Sequence, residues 1–177
     1  MSINAKRMAF LGLLLAYTTI LVILSGILEF NTLFLLAAAS FGVGIALREC
    51  KLRLGFGFFI ASVILSFILA PNKLYCITYS AMGLYLVIIE IFYDKLSNVK
   101  WSAHRKKLFW GIKYIAFNIM FIPILLLLPR LIYHGKISTV LFAGLLFGGQ
   151  IGLFIYDSAH NYFQQAIWGK LRRNLHL

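Results

Sequence analysis

The sequence predicts an all-α integral membrane protein: a compact bundle of six transmembrane helices with both termini in the cytoplasm. Three observations carry this reading. The 177-residue chain is 62% hydrophobic and only 12% charged, where a soluble domain is about 25% charged. Its apolar stretches lie at about 8–28, 33–47, 54–70, 74–93, 108–128 and 137–156, and most approach or reach the roughly 20 residues that cross a hydrocarbon core of about 30 Å. Sixteen of its seventeen Lys and Arg residues fall outside those stretches and alternate in density. In chain order the flanks hold Lys6 and Arg7; none; Arg48, Lys51 and Arg53; Lys73; Lys95, Lys100, Arg105, Lys106 and Lys107; Arg130 and Lys136; and Lys170, Arg172 and Arg173. Alternate flanks thus carry thirteen cations on one side and three on the other, and the positive-inside rule places the richer side in the cytoplasm.

Residues 1–177 read as a single transmembrane domain with a mean hydropathy of +0.89 and no room for a soluble catalytic domain. The net charge of +12 sits in short turns, where topology and anionic headgroups account for it without nucleic acid. Lys6 and Arg7 precede an apolar run longer than a signal-peptide core, so helix 1 reads as retained. Helices 1 and 2 are joined by the short connection 29–32. Helix 2 is brief and rich in Ala, Ser and Gly, the composition of a helix buried in a bundle. Helix 3 stops at Pro71-Asn72-Lys73, and helix 4 follows in a tight outer hairpin. The polar segment 94–107 separates a four-helix from a two-helix part. Helix 5 carries Pro123 in its interior, which predicts a kink. Helix 6 carries Gly144, Gly148 and Gly152 on one face, a double GxxxG that predicts close packing against another helix. The amphipathic segment 157–177 either continues helix 6 or lies along the inner membrane surface.

Two groups of residues are candidates for chemistry. Toward the inner side, Glu90 and Asp94 lie one turn apart, as do Asp157 and His160; together they form either an acid–base or metal site or a set of interfacial counter-charges. Lys113, the one cation within an apolar stretch, reads as snorkelling to the inner headgroups. Toward the outer side, three connections supply Glu29, Asn31 and Thr32; Asn72, Lys73, Tyr75 and Tyr79; and Arg130, Tyr133, His134 and Lys136. Asn118 joins them from the middle of helix 5, where an amide needs a partner. These read either as one substrate pocket or as headgroup contacts. Cys50 and Cys76 fall on opposite sides of the bilayer, so no disulfide is expected. No phosphate loop, catalytic triad order, metal-ligand spacing or cofactor motif is visible.

The residues at the start of the chain resemble those of the substrate-binding S components of energy-coupling factor (ECF) transporters. The run Ala5-Lys-Arg-Met-Ala9, followed by Gly12 and Ala16, matches the family's basic, small-residue opening. The small residues and basic inner turn of 36–61, with Gly55 and Gly57, and the stretch 152–157 before a basic helix end, are also similar. The connection 29–32 is shorter than the family's. The resemblance implies a six-helix capture subunit for a micronutrient-type small molecule in the cell membrane. It implies that Ala5, Ala9, Gly12 and Ala16 meet a coupling transmembrane subunit, with ATPase subunits supplying energy. The expected substrate contacts are then Glu29, Asn31, Asn72, Lys73, Tyr79, Asn118, Arg130, Tyr133 and His134, with no catalytic residue, metal or cofactor. The other readings are a membrane scaffold or assembly subunit, and an intramembrane enzyme using the inner acidic and His residues.

Overall fold

A computed structural model describes residues 5–28, 31–97, 102–127 and 139–170. All of the regular structure among them is helical: α1 (Ala5–Ser25), α2 (Thr32–Leu69), α3 (Lys73–Ser97), α4 (Ser102–Leu127) and α5 (Thr139–Tyr162), with a π-helical segment, Phe163–Trp168, continuing α5. Among the described residues four stretches are long and apolar enough to cross a membrane: Ala5–Ser25, Thr32–Leu69, Lys73–Lys95 and Phe142–Trp168. The side chains they turn outward are large and apolar, as a lipid environment allows: Leu13, Phe34 and Ile68 are each about 70% exposed, and Phe147 is 77% exposed.

Among the described residues the six expected stretches fall in five continuous helices. The stretches 33–47 and 54–70 are the two arms of α2, which breaks at Lys51 (φ 65°, ψ 159°). A straight helix of 38 residues would be about 57 Å long, nearly twice a hydrocarbon core. The arms instead fold back on each other. A Cβ added to Gly55 would lie 2.5 Å from Leu47 Cα, although residues eight apart in a continuous helix are about 12 Å apart. The reversal falls in Arg48-Glu-Cys-Lys-Leu-Arg53, which has no Gly or Pro to mark a turn, so one residue in a conformation favoured by Gly makes it.

The chain divides into two compact units, Met1–Phe109 and Trp110–Leu177, with the boundary inside α4. In the first unit α1 and α3 both pack on α2. The first arm of α2 (32–50) is the most deeply buried element, with every residue from Gly42 to Leu47 inside. Its small residues permit this. At Gly42 a Cβ would meet Thr18 Oγ1 at 2.6 Å, so only glycine lets α1 approach so closely. The second arm (52–69) meets α3 through Phe59, whose ring lies 2.7 Å from where a Gly83 Cβ would be. Tyr79, wholly buried, also shares a 2.7 Å hydrogen bond with Ser62.

This packing separates the charges of the unit by its ends. Gly26 sits against Pro71, and Thr32 Oγ1 donates to Ser25 O, so the close of α1, the start of α2 and the turn at Pro71 share one end. The opposite end holds the start of α1, the Lys51 reversal and the close of α3. Lys6, Arg7, Arg48, Lys51, Arg53 and Lys95 belong to that end, whereas only Lys73 of the described cations belongs to the other.

In the second unit α4 and α5 are antiparallel partners. Contacts join Lys113 to Asp157, Asn118 to Gln150 and Phe121 to Gly149, the numbers falling along α5 as they rise along α4. Pro123 lies inside α4, which continues past it to Leu127. Residues 157–170 extend α5 through the π-helical segment; the remainder of the expected amphipathic tail lies outside the described residues.

Candidate functional site

The second unit buries polar groups where α4 meets α5. Along α5 the buried residues are Leu153, Asp157 and His160, and along its π-helical continuation Gln164 and Trp168, spaced by three or four and so on one side of the helix. Asp157 lies within the Phe142–Trp168 span. Its carboxylate accepts from Lys113 Nζ at 2.7 Å, and the two side chains are 5% and 6% exposed. Asn161 Nδ2 donates to the same Oδ2 at 3.1 Å. Lys113 Nζ is also 5.1 Å from the Trp110 ring centroid, and Trp110 in turn stacks on Phe154. The cation is therefore held between a carboxylate and an aromatic face, both of which favour its charge.

Polar contacts flank the ion pair on both sides. Toward the Leu127 end of α4, Gln150 Nε2 donates to Asn118 Oδ1 at 2.8 Å, and Asn118 Nδ2 donates to Tyr114 O at 2.8 Å. Toward the other end, the Gln164 amide meets His160 Nε2 at 3.4 Å. The result is a polar seam: an amide pair, an ion pair and an imidazole–amide pair in succession along α5. The π-helical segment, a rare geometry that recurs at functional sites, carries Gln164 and Trp168 into it.

The Lys113 reading is corrected here. It does not snorkel to the headgroups: its side chain is buried and paired with Asp157. That partner lies 44 residues away, so local sequence could not indicate it. The glycine face is corrected as well. Gly144, Gly148 and Gly152 are exposed, and a Cβ at any of them would meet nothing within 4 Å among the described residues. At about 100° per residue they lie roughly opposite Asp157 on the helix. The close approach is made instead by Gly149, against the Phe121 ring.

The inner acidic and His residues are divided between the two units. Glu90 belongs to the first unit and is paired with Arg48 (Nη2–Oε1 2.5 Å), while Asp157 belongs to the second and is paired with Lys113. No group of His, Cys, Asp or Glu among the described residues has the arrangement of a metal site. Both cysteines are free and buried.

Glu29, Arg130, Tyr133, His134 and Lys136 lie outside the described residues. Asn31 is exposed at the start of α2 without a side-chain capping bond. Asn72 Oδ1 accepts from Leu74 N at 3.0 Å, as a helix-capping residue does. Lys73 Nζ donates to the carbonyls of Phe67 and Ala70, closing the end of α2. Tyr79 is in the core on Ser62. Asn118 finds its partner in Gln150, a residue the sequence reading passed over among its neighbouring glycines. On α1, Ala5, Ala9, Gly12 and Ala16 are all exposed, and a Cβ on Gly12 would meet nothing within 4 Å. No family model, curated protein or solved structure matches the chain.

Proposed function

We propose that the chain is the membrane-embedded capture subunit of a small-solute uptake system, energised by a separate ATP-hydrolysing module, as in the transporters whose S components its opening resembles. It crosses the membrane six times, with α2 contributing two passes, and both termini are cytoplasmic. The separation of cations between the ends of the first unit supports that topology under the positive-inside rule. Impermeant thiol labelling of intact cells should modify a cysteine placed at Asn72 and spare one placed at Ser97; the reverse pattern would invert the topology.

One observation carries the functional reading: the buried Lys113–Asp157 pair, whose Asp157 lies inside a stretch long and apolar enough to cross a membrane. Ionisable groups in such positions are costly, and they mark substrate and ion pathways. The exposed strip Ala5, Ala9, Gly12 and Ala16 supports the coupling partner, since small residues let a foreign helix approach closely. The chain purified in mild detergent from its own membranes should bring down an ATP-hydrolysing complex, measured as ATPase activity in the eluate. Ala5→Leu/Ala9→Leu should lose that activity while keeping the wild-type melting temperature. A wild-type eluate without ATPase activity would sink the proposal. The exposed Gly144, Gly148 and Gly152 favour a second reading, a scaffold that docks another membrane helix; Gly148→Leu would then release a bound subunit that the α1 double variant retains.

A further inference from the structure

The ion pair at the centre of the second unit's seam is buried and electrically balanced. Lys113 and Asp157 neutralise one another at 2.7 Å, and the other polar groups placed along it, Asn118, Gln150, Asn161 and Gln164, are uncharged amides. His160 meets the Gln164 amide through Nε2. A guest of single charge would bind one member of the ion pair and leave the other without its counter-charge, the costly outcome in a desolvated site. A guest carrying both charges replaces the pair one for one. The two charges of an α-amino acid flank a single carbon, which matches two side chains that already meet at hydrogen-bond distance. The Trp110 face beside Lys113 and the stacked Phe154 supply an apolar wall for the rest of such a molecule.

Resting on the capture reading, we propose that the solute is a zwitterion of amino-acid type. Its carboxylate takes over the Lys113 ammonium and its ammonium takes over the Asp157 carboxylate. With no solute bound, the two side chains close on each other, so the vacant protein presents no uncompensated charge.

The test uses the full chain in nanodiscs of phosphatidylglycerol, which contain no zwitterionic lipid. Each of the twenty protein L-amino acids, acetate and methylammonium is titrated by calorimetry and by thermal melting. At least one amino acid should bind and raise the melting temperature, and acetate and methylammonium should not. Lys113→Met/Asp157→Leu removes both charges together, which an interior tolerates far better than removing one. It should melt as wild type does while binding that amino acid at least about tenfold more weakly. Nanodiscs containing phosphatidylethanolamine separate a lipid headgroup from a free solute. The inference is overturned if no amino acid binds, if either singly charged probe binds as well, if the double variant binds undiminished, or if only phosphatidylethanolamine shifts the melt. Failure on any of these points, with ATPase activity still present in the wild-type eluate, removes the zwitterion and leaves the capture subunit.

Discussion

The two units are held together by different means. In the first, α1, both arms of α2 and α3 meet through small residues: Gly42 against Thr18, Gly55 against Leu47 and Gly83 against Phe59. Its cross-helix ion pair, Arg48–Glu90, sits at one end, and the arginine side chain is 36% exposed. In the second unit, α4 and α5 meet through an ion pair, an amide pair and a ring on a glycine. The first arrangement gains stability from close contact, which in lipid replaces the hydrophobic drive. The second places desolvated charge where apolar residues would serve stability equally well. The first unit is thus held by close packing of small residues, and the second by polar pairs.

Substitutions that damage one kind of cohesion and spare the other sharpen this contrast. The largest loss belongs to the second unit: Asp157→Leu leaves Lys113 buried without its counter-charge and should cost about 3–5 kcal/mol, measured as a fall in denaturation midpoint in lipid. In the first unit, Gly55→Ala drives a methyl into the Leu47 backbone, which has no side-chain freedom to yield, so the α2 arms must part. Overpacking of this kind costs about 1–3 kcal/mol, and the same denaturation measurement should read it. Lys51→Gly works the other way. Lysine at φ 65° is strained where glycine is not, so the change should stabilise the reversal by roughly 1 kcal/mol. A destabilised Lys51→Gly would mean that the lysine side chain, not the backbone, holds the turn. Smallest of all, Gly148→Leu on the purified chain should leave the melt unchanged, because its face is open; a clear loss would place a helix against it.

The sequence made some of this legible and concealed the rest for identifiable reasons. Hydropathy and charge are properties of single segments, so the apolar stretches and the clustering of cations at one end of the first unit could be read directly. The small residues 37–46 announced a helix that others would pack against, and Gly42–Leu47 is the buried centre of α2. The reversal at Lys51 was hidden because no residue there signals a turn. The seam was hidden because it depends on pairs 44 and 32 residues apart. Lys113 looked like an interfacial cation, and Gln150 was masked by Gly148, Gly149 and Gly152. The GxxxG spacing correctly placed three glycines on one face, but spacing does not say whether anything faces them; the polar partners turned the other side of α5 toward α4.

The account rests most heavily on Lys113 and Asp157 being a desolvated, mutually dependent pair. A double-mutant cycle in lipid tests this directly, comparing the stability of wild type, Lys113→Met, Asp157→Leu and the double variant. Each single variant should be severely destabilised and the double variant should recover most of the loss, with a coupling of about 2 kcal/mol or more. Single effects that simply add, within roughly 0.5 kcal/mol, would show two independent, solvated side chains and contradict the buried seam.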